Sequence, residues 1–287
     1  MRNLMKSRIL VTLLIIVFSS VTGCSKLPTE TSVNNISEIK DGHTKVMKAF
    51  LNSERFSNIV QKVSSENRSS KFDNSTVRMS PSSLEDAKAA IKNVLEQQGY
   101  DTDTTDYDHI MNQVVETTMN YEAATNSYVP KTPEEINNTL QSTTEHEYLE
   151  SVQATIDEMV ILSESDVTQS EVLDAYAAKN SQLRSDYENS REYEPATEAV
   201  IAIGESSLQL AAEEDKYLSS HSSEFNIPMM TWDEALKGIL VLLADAAGAI
   251  GGTLAGGAIG GILGACIASI LMTLFIAIMD NIQEVPI

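Results

Sequence analysis

Apolar residues recur with a helical period along much of the chain, and polar residues fill the positions between them. One clear stripe consists of Leu149, Val152, Ile156, Met159 and Val160. A second begins at His43 and follows Val46, Phe50, Leu51, Ile59, Val60 and Val63. No segment shows the sustained period-two alternation of a half-buried strand. The pattern therefore predicts an all-α bundle of about five or six helices ahead of the carboxy-terminal region.

Several helix starts are visible as capping residues followed by acids or by a first-turn proline. The predicted starts are Ser82 with Glu85, Thr132 ahead of Pro133, Thr168 with Glu171, Pro195, and Thr231 with Glu234. Gly99 supplies a stop for the helix that starts near Ser82.

The carboxy-terminal region has a different pattern, since Gly238 to Met279 contains one charged residue, Asp245. Its glycines recur at every fourth position, and this glycine zipper consists of Gly248, Gly252, Gly256, Gly260 and Gly264. Glycine costs about 1 kcal/mol relative to alanine inside a helix. Because spacing of four in an apolar segment lets helix backbones approach closely, these glycines are predicted helix-packing residues.

A single helix from Trp232 to Met279 would be about 70 Å long, over twice the ~30 Å hydrocarbon thickness of a bilayer. Three topologies remain open. One is a single span over Ala258 to Met279, and another is a membrane hairpin that bends near Gly256 and Gly257. The third is a glycine-rich helical pair buried in the protein or in an oligomer. Membrane association is favoured, with the hairpin ahead of the single span.

Asp245 is the one carboxylate in this stretch. A charged residue in lipid costs about 2.5–3.5 kcal/mol unless water or a partner meets it. Asp245 is therefore either a membrane-embedded polar residue that lines a pore or contacts a partner, or a residue at or above the interface. The second interpretation is preferred.

The amino terminus has three basic residues followed by a ten-residue apolar core, Ile9 to Phe18, which is too short to span a bilayer. Val21-Thr22-Gly23-Cys24 resembles the lipobox of bacterial lipoprotein signal peptides. The resemblance implies cleavage before Cys24, a diacylglyceryl group on its thiol and acylation of the new amino terminus. The alternative is ordinary signal-peptide cleavage at the same bond, after Gly23, without lipoprotein processing of Cys24. The residues directly after Cys24 are Ser25 and Lys26, and neither is an Asp, so outer-membrane attachment in the cell envelope is expected.

These observations predict five segments. They are a signal peptide (1–23), a flexible tether (24–42), an amphipathic helix with a polar linker (43–80), an acidic α-helical domain (81–230) and a glycine-zipper membrane segment (231–287).

The formal net charge of −21 argues against nucleic acid as a partner, because phosphate binding needs clustered Lys and Arg. The charge is uneven: residues 24–92 hold 11 basic and 8 acidic side chains, and residues 93–236 hold 5 and 30. The expected partners are a lipid bilayer and, through the glycine zipper, a second copy or another membrane protein.

No catalytic, metal or cofactor signature is evident. The acids between Asp101 and Asp108 lack the glycine and glutamate of a calcium loop. His43, His109, His146 and His221 are scattered, and Cys266 has the surroundings of a packing residue. The sequence thus predicts a non-enzymatic envelope lipoprotein that associates in the membrane through its glycine zipper. The alternative is a secreted pore-forming or bacteriocin-like toxin.

Overall fold

The computed structural model describes residues 36–69, 77–103, 105–143, 150–190, 194–221 and 232–283. Within them the chain forms nine helices and one two-stranded sheet, which confirms the predicted all-α class. The predicted signal peptide and Cys24 lie outside the described residues. The helices are α1 (Ile36–Leu51), α2 (Glu54–Ser69), α3 (Pro81–Gln97), α4 (Thr105–Thr118), α5 (Pro133–Thr143), α6 (Glu150–Ser163), α7 (Gln169–Ser190), α8 (Pro195–His221) and α9 (Trp232–Gln283).

Two predicted helix starts are confirmed by reciprocal capping bonds. The Thr132 backbone N–H donates to Glu135 Oε2 at 2.8 Å, and the Glu135 N–H donates to Thr132 Oγ1 at 3.2 Å. Thr168 and Glu171 form the same pair at 2.7 and 3.3 Å. The helix start at Pro195 is confirmed as well.

Helix α3 starts two residues earlier than its predicted capping box. Ser80 is the cap, because its hydroxyl accepts the Ser83 N–H at 3.2 Å and Pro81 occupies the first turn. The predicted pair of Ser82 with Glu85 is therefore wrong. The predicted stop is confirmed, since the helix ends at Gln97 and Gly99 has a φ of 92°.

The apolar stripe that begins at His43 belongs to two helices instead of one. Helix α1 begins at Ile36, inside the predicted tether, and ends at Leu51. Helix α2 begins at Glu54, where the Ser53 hydroxyl accepts the Phe56 N–H at 3.2 Å. A local cap interrupts a stripe whose period alone gave no sign of a break.

Sequence analysis missed a short antiparallel hairpin between α4 and α5. Strands β1 (Met119–Glu122) and β2 (Ser127–Pro130) pair with Tyr121 opposite Tyr128. The turn closes with Asn126 at a φ of 50°, a conformation that asparagine tolerates better than most residues. Four-residue strands are too short to show a convincing alternation.

Helix α9 consists of two arms, residues 232–256 and 257–283, that fold back on each other; we call this unit the apolar hairpin. The bend lies at Gly256 (φ −145°, ψ 23°) and Gly257 (φ 63°, ψ −154°), the position predicted for a hairpin, and the arms are buried in the protein as in the third predicted topology. The Gly257 torsions belong to a region that is essentially restricted to glycine. The bend therefore depends on that residue.

The apolar hairpin lies at the centre of the fold. Each of the eight preceding helices in the described part of the chain packs against it. The buried side chains of the hairpin and of these surrounding helices form one continuous hydrophobic core. The predicted acidic domain and glycine-zipper segment thus share a core, because the helices bury their apolar faces on the hairpin.

Candidate functional site

The two arms of the apolar hairpin contact each other through the predicted helix-packing glycines. Gly248 lies against Gly264 and Gly252 against Gly260, in pairs that are symmetric about Gly256. A Cβ built at any of these four positions would overlap the backbone of the opposite arm. Each glycine is therefore required for the observed separation of the arms, and the cost of glycine in a helix is offset by close packing.

Gly256 has a different position from the other four glycines. It is part of the bend, and a Cβ there would lie 3.2 Å from Ile110 Cδ1 on α4. The bend itself reaches the surface: Gly257 is exposed, and Ile259 is 37% exposed. We call residues 254–259 the tip. The tip is an uncharged surface at the end of two apolar arms.

Both arms have the length and composition of membrane-spanning helices. Ala235–Gly257 has 23 residues and contains an 18-residue stretch with a mean hydropathy of 1.8, and Ile259–Met279 has 21 residues and contains one with a mean hydropathy of 2.6. Most of each 18-residue stretch is nevertheless buried, 72% of the first and 78% of the second. The surrounding helices α1 to α8, which we call the sheath, cover them and leave the tip accessible.

Asp245 lies in the first arm and is 1% exposed. Its carboxyl group accepts hydrogen bonds from Ser269 on the second arm and from Ser207 on α8. The predicted polar residue of the hairpin thus has partners on its own hairpin and on the sheath. Pairing of this kind reduces the cost of burying a carboxyl group.

A longer chain of hydrogen bonds continues from Ser269 into the sheath. His43 Nε2 on α1 lies 3.1 Å from Ser269 Oγ, and His43 Nδ1 lies 2.9 Å from Ser206 Oγ on α8. Thr44 Oγ1 is 2.6 Å from the same Ser206 hydroxyl. His43, Ser206 and Ser269 are each at most 1% exposed.

The direction of this chain follows from the carboxyl group acting as acceptor for both serines. With the one hydroxyl proton of Ser269 donated to Asp245, His43 Nε2–H donates to Ser269 Oγ. In a neutral imidazole Nδ1 then accepts, and Ser206 donates to it. Burial holds the imidazole neutral by lowering the pKa of His43 from 6.5 to about 3.

Histidine, serine and aspartate also form hydrolytic triads, but their order differs here. In a triad the carboxylate orients the imidazole, which contacts the nucleophilic hydroxyl. Asp245 contacts Ser269 and Ser207 instead, and the imidazole lies between two hydroxyls inside the core. The arrangement joins helices and does not resemble a nucleophile with its base.

The remaining candidates have separate places in the fold. Asp103 pairs with Lys92 at 2.9 Å, while Asp106 and Asp108 are exposed. Among the described residues no group of three acidic, histidine or cysteine side chains converges on a possible metal position. His109 is exposed, Cys266 is fully buried as a packing residue, and His146 lies outside the described residues. The side chain of His221 also lies outside them.

Sequence analysis did not identify His43, Ser206, Ser207 or Ser269 as members of one cluster. His43 is separated from Ser206 by 163 positions and from Ser269 by 226, so no motif spacing links them. One signal was available. Asp245 and Ser269 are equidistant along the chain from Gly257, and the predicted bend therefore places them opposite each other.

Comparison of the chain with protein-family models, with curated proteins and with solved structures gave no match.

Proposed function

We propose that this protein is a non-enzymatic envelope lipoprotein whose apolar hairpin inserts into a lipid bilayer. The observation that carries the proposal is a pair of spanning-length apolar arms that are joined by an uncharged tip, where Gly257 and Ile259 are exposed, and that are covered elsewhere by the sheath. Two states follow: a closed state in which the sheath covers the hairpin, and an inserted state in which lipid replaces the sheath.

The dimensions of the hairpin fit this role. At 1.5 Å per residue the arms are about 34 and 32 Å long, against a hydrocarbon thickness of ~30 Å. A helical hairpin satisfies its backbone hydrogen bonds internally, as lipid requires. The glycine contacts between the arms remain favourable in lipid, because they depend on close packing instead of on exclusion of water. The hairpin is thus suited to enter as one unit.

The sheath would then move onto the membrane surface. Helices α1 and α2 are amphipathic and carry basic residues, as is typical of helices that lie on anionic headgroups. Self-association or binding of another membrane protein through the glycine zipper would require the two arms to separate, because within the hairpin each arm occupies the glycine face of the other.

We also propose that a lipid on Cys24 holds the protein at the bilayer of the outer membrane. The tether and lipid would keep the tip at a high effective concentration near the membrane. Several acyl chains, at about 0.8 kcal/mol per buried methylene, give durable attachment.

Lipidation of Cys24 has a direct test. We expect the full chain, expressed in a bacterium that is fed labelled palmitate, to incorporate the label, and Cys24→Ala to lose it. Cys266→Ala is the matched control and should keep the label, because this thiol is buried in the hairpin. Label that persists in Cys24→Ala would refute lipidation at this site.

Insertion can be followed at the tip. In a full chain with Cys24→Ser and Cys266→Ala, an environment-sensitive fluorophore on Ile259→Cys should become lipid-exposed on phosphatidylethanolamine and phosphatidylglycerol vesicles. Lipids brominated on their acyl chains should quench it. The matched control is Ile161→Cys on α6, also an exposed isoleucine, at 59% exposure, whose label should stay in water.

A charge near the tip should slow this insertion. Leu254→Asp carries a carboxylate across the bilayer centre at a cost of about 2.5–3.5 kcal/mol, which corresponds to roughly 50- to 300-fold in rate. Ile161→Asp, with the label at Ile259→Cys, should insert at the unmodified rate. If the tip label stays in water while the protein is bound to vesicles, the hairpin does not insert and serves only as the core of the folded protein.

Pore formation is the second candidate function. The covered hairpin favours it over a permanently inserted anchor, because a diffusible membrane-inserting protein must shield such arms from water. The same vesicles distinguish the two functions. We expect insertion with little release of trapped dye; rapid, dose-dependent release that Gly256→Leu abolishes would favour the pore.

A further inference from the structure

The hydrogen-bonded cluster of His43, Ser206, Ser207, Asp245 and Ser269 joins the hairpin to two helices of the sheath. Asp245 and Ser269 belong to the two arms, Ser206 and Ser207 to α8, and His43 to α1. The bonds between Asp245 and Ser207 and between Ser269 and His43 cross from hairpin to sheath. The bond between Asp245 and Ser269 stays within the hairpin.

We propose that this cluster is a polar latch, whose opening releases the hairpin for insertion. The inference rests on the proposed membrane insertion. The hydrogen bonds between Asp245 and Ser207 and between His43 and Ser269 control the insertion step. The bond from Ser206 to His43 supports them.

The physical reason is the difference between apolar and polar contacts on transfer to lipid. Lipid tails are as apolar as the side chains of the sheath, so the hairpin exchanges one apolar environment for another. Hydrogen bonds between the hairpin and the sheath have no such replacement, because lipid offers no donor to Asp245. The free-energy difference between the closed and inserted states therefore depends much more on the polar contacts than on the apolar contacts.

The latch also separates at a defined place. When the hairpin leaves, Ser269 moves with Asp245 and continues to donate to its carboxyl group. His43 keeps its bond to Ser206, because both residues belong to the sheath. An intramembrane acid with a partner on its own hairpin is much less costly than an isolated one. Two bonds are thus lost in opening, while each side retains a polar partner.

The test removes latch bonds without altering the hairpin. The double variant Ser206→Ala and Ser207→Ala leaves every residue of α9 unchanged, so the inserted product is the same. We expect the tip label to insert about tenfold faster than in the parent chain, because Asp245 loses the Ser207 donor that crosses from the sheath and His43 loses the Ser206 donor that supports its bond to Ser269. Amide hydrogen exchange should also accelerate in the two arms before any vesicle is added.

The matched control is Ile156→Val on α6, which trims a buried methylene from the sheath far along the chain from the latch. The unfolding free energies of a set of such core variants are measured in denaturant titrations. Those variants whose unfolding free energy equals that of the latch variant serve as controls. The latch variant should insert faster than the controls of equal stability. Ser207→Thr keeps the hydroxyl at a half-buried position and should insert at the parental rate.

Equal insertion rates for latch and control variants of equal stability would overturn the latch and leave the cluster a structural one. A tip label that inserts in neither the parent chain nor any variant would refute the proposed function itself. If the double variant does not fold, Ser207→Ala alone carries the same comparison.

Discussion

Alanine at Gly252 is expected to destabilise the fold by at least about 2 kcal/mol, although alanine is the better helix former by about 1 kcal/mol. The added Cβ would overlap the carbonyl of Gly260 and lie 3.0 Å from Gly264 Cα. Both obstacles are backbone atoms of the opposite arm, and the sheath restricts its movement. The arms would have to separate, which opens the core along their length. Denaturant unfolding followed by circular dichroism measures the loss.

Gly238→Ala is the matched control on the same arm. Its Cβ would meet nothing closer than Gln169 Cγ at 4.0 Å, so the helix gains its ordinary preference for alanine. We expect this variant to be more stable than the parent chain by up to about 1 kcal/mol. If Gly252→Ala were as stable as Gly238→Ala, the arms would not be in contact at the glycine stripe.

Mild acid should destabilise the protein through His43. Its folded-state pKa is about 3, against 6.5 for an ordinary histidine, because burial disfavours the charged imidazole. Below pH 6.5 the unfolded chain binds a proton that the folded chain excludes. The contribution of His43 to stability is therefore complete above about pH 6.5 and is lost progressively down to pH 3. Between pH 7 and pH 5 the loss should be roughly 2 kcal/mol.

Other ionisable groups lie on α1 and on the elements packed against it, so the measurement compares two chains. They include Lys40 on α1, Glu205 on α8, Asp245 on the hairpin, and Tyr100, whose hydroxyl lies beside Gly42 of α1. They are common to the parent chain and to His43→Gln. We expect the parent to lose about 2 kcal/mol relative to His43→Gln between pH 7 and pH 5.

His109→Gln, which removes an exposed histidine on α4, is the matched control. Parallel stability profiles for the parent and His43→Gln would contradict a neutral, buried His43. Charging this imidazole also reverses the role of Nδ1, which must then donate where it now accepts from Ser206. Acid thus acts on the same bonds that the proposed latch uses.

Local signals predicted much of the fold because their physics acts within a few residues. The threonine caps at Thr132 and Thr168, the stop at Gly99 and the bend at Gly256 and Gly257 are of this kind. The predictions were wrong at elements whose residues show no clear local pattern. The break after Leu51 depends on one serine cap, and the β-hairpin on strands of four residues.

The sequence by itself determined that the carboxy-terminal segment is apolar and carries glycine at every fourth position, because charge and glycine period are encoded within that segment. It left open whether the segment crosses a bilayer once, forms a membrane hairpin or is a helical pair buried in the protein, and the structure brought the glycines of the two arms together. Only the tertiary structure decided that the hairpin is the centre of the protein. Amphipathic helices bury their apolar faces equally well on a protein core or on a membrane, so their pattern leaves the partner open. The same holds for the latch, since His43, Ser206 and Asp245 become neighbours only when α1, α8 and the hairpin pack together.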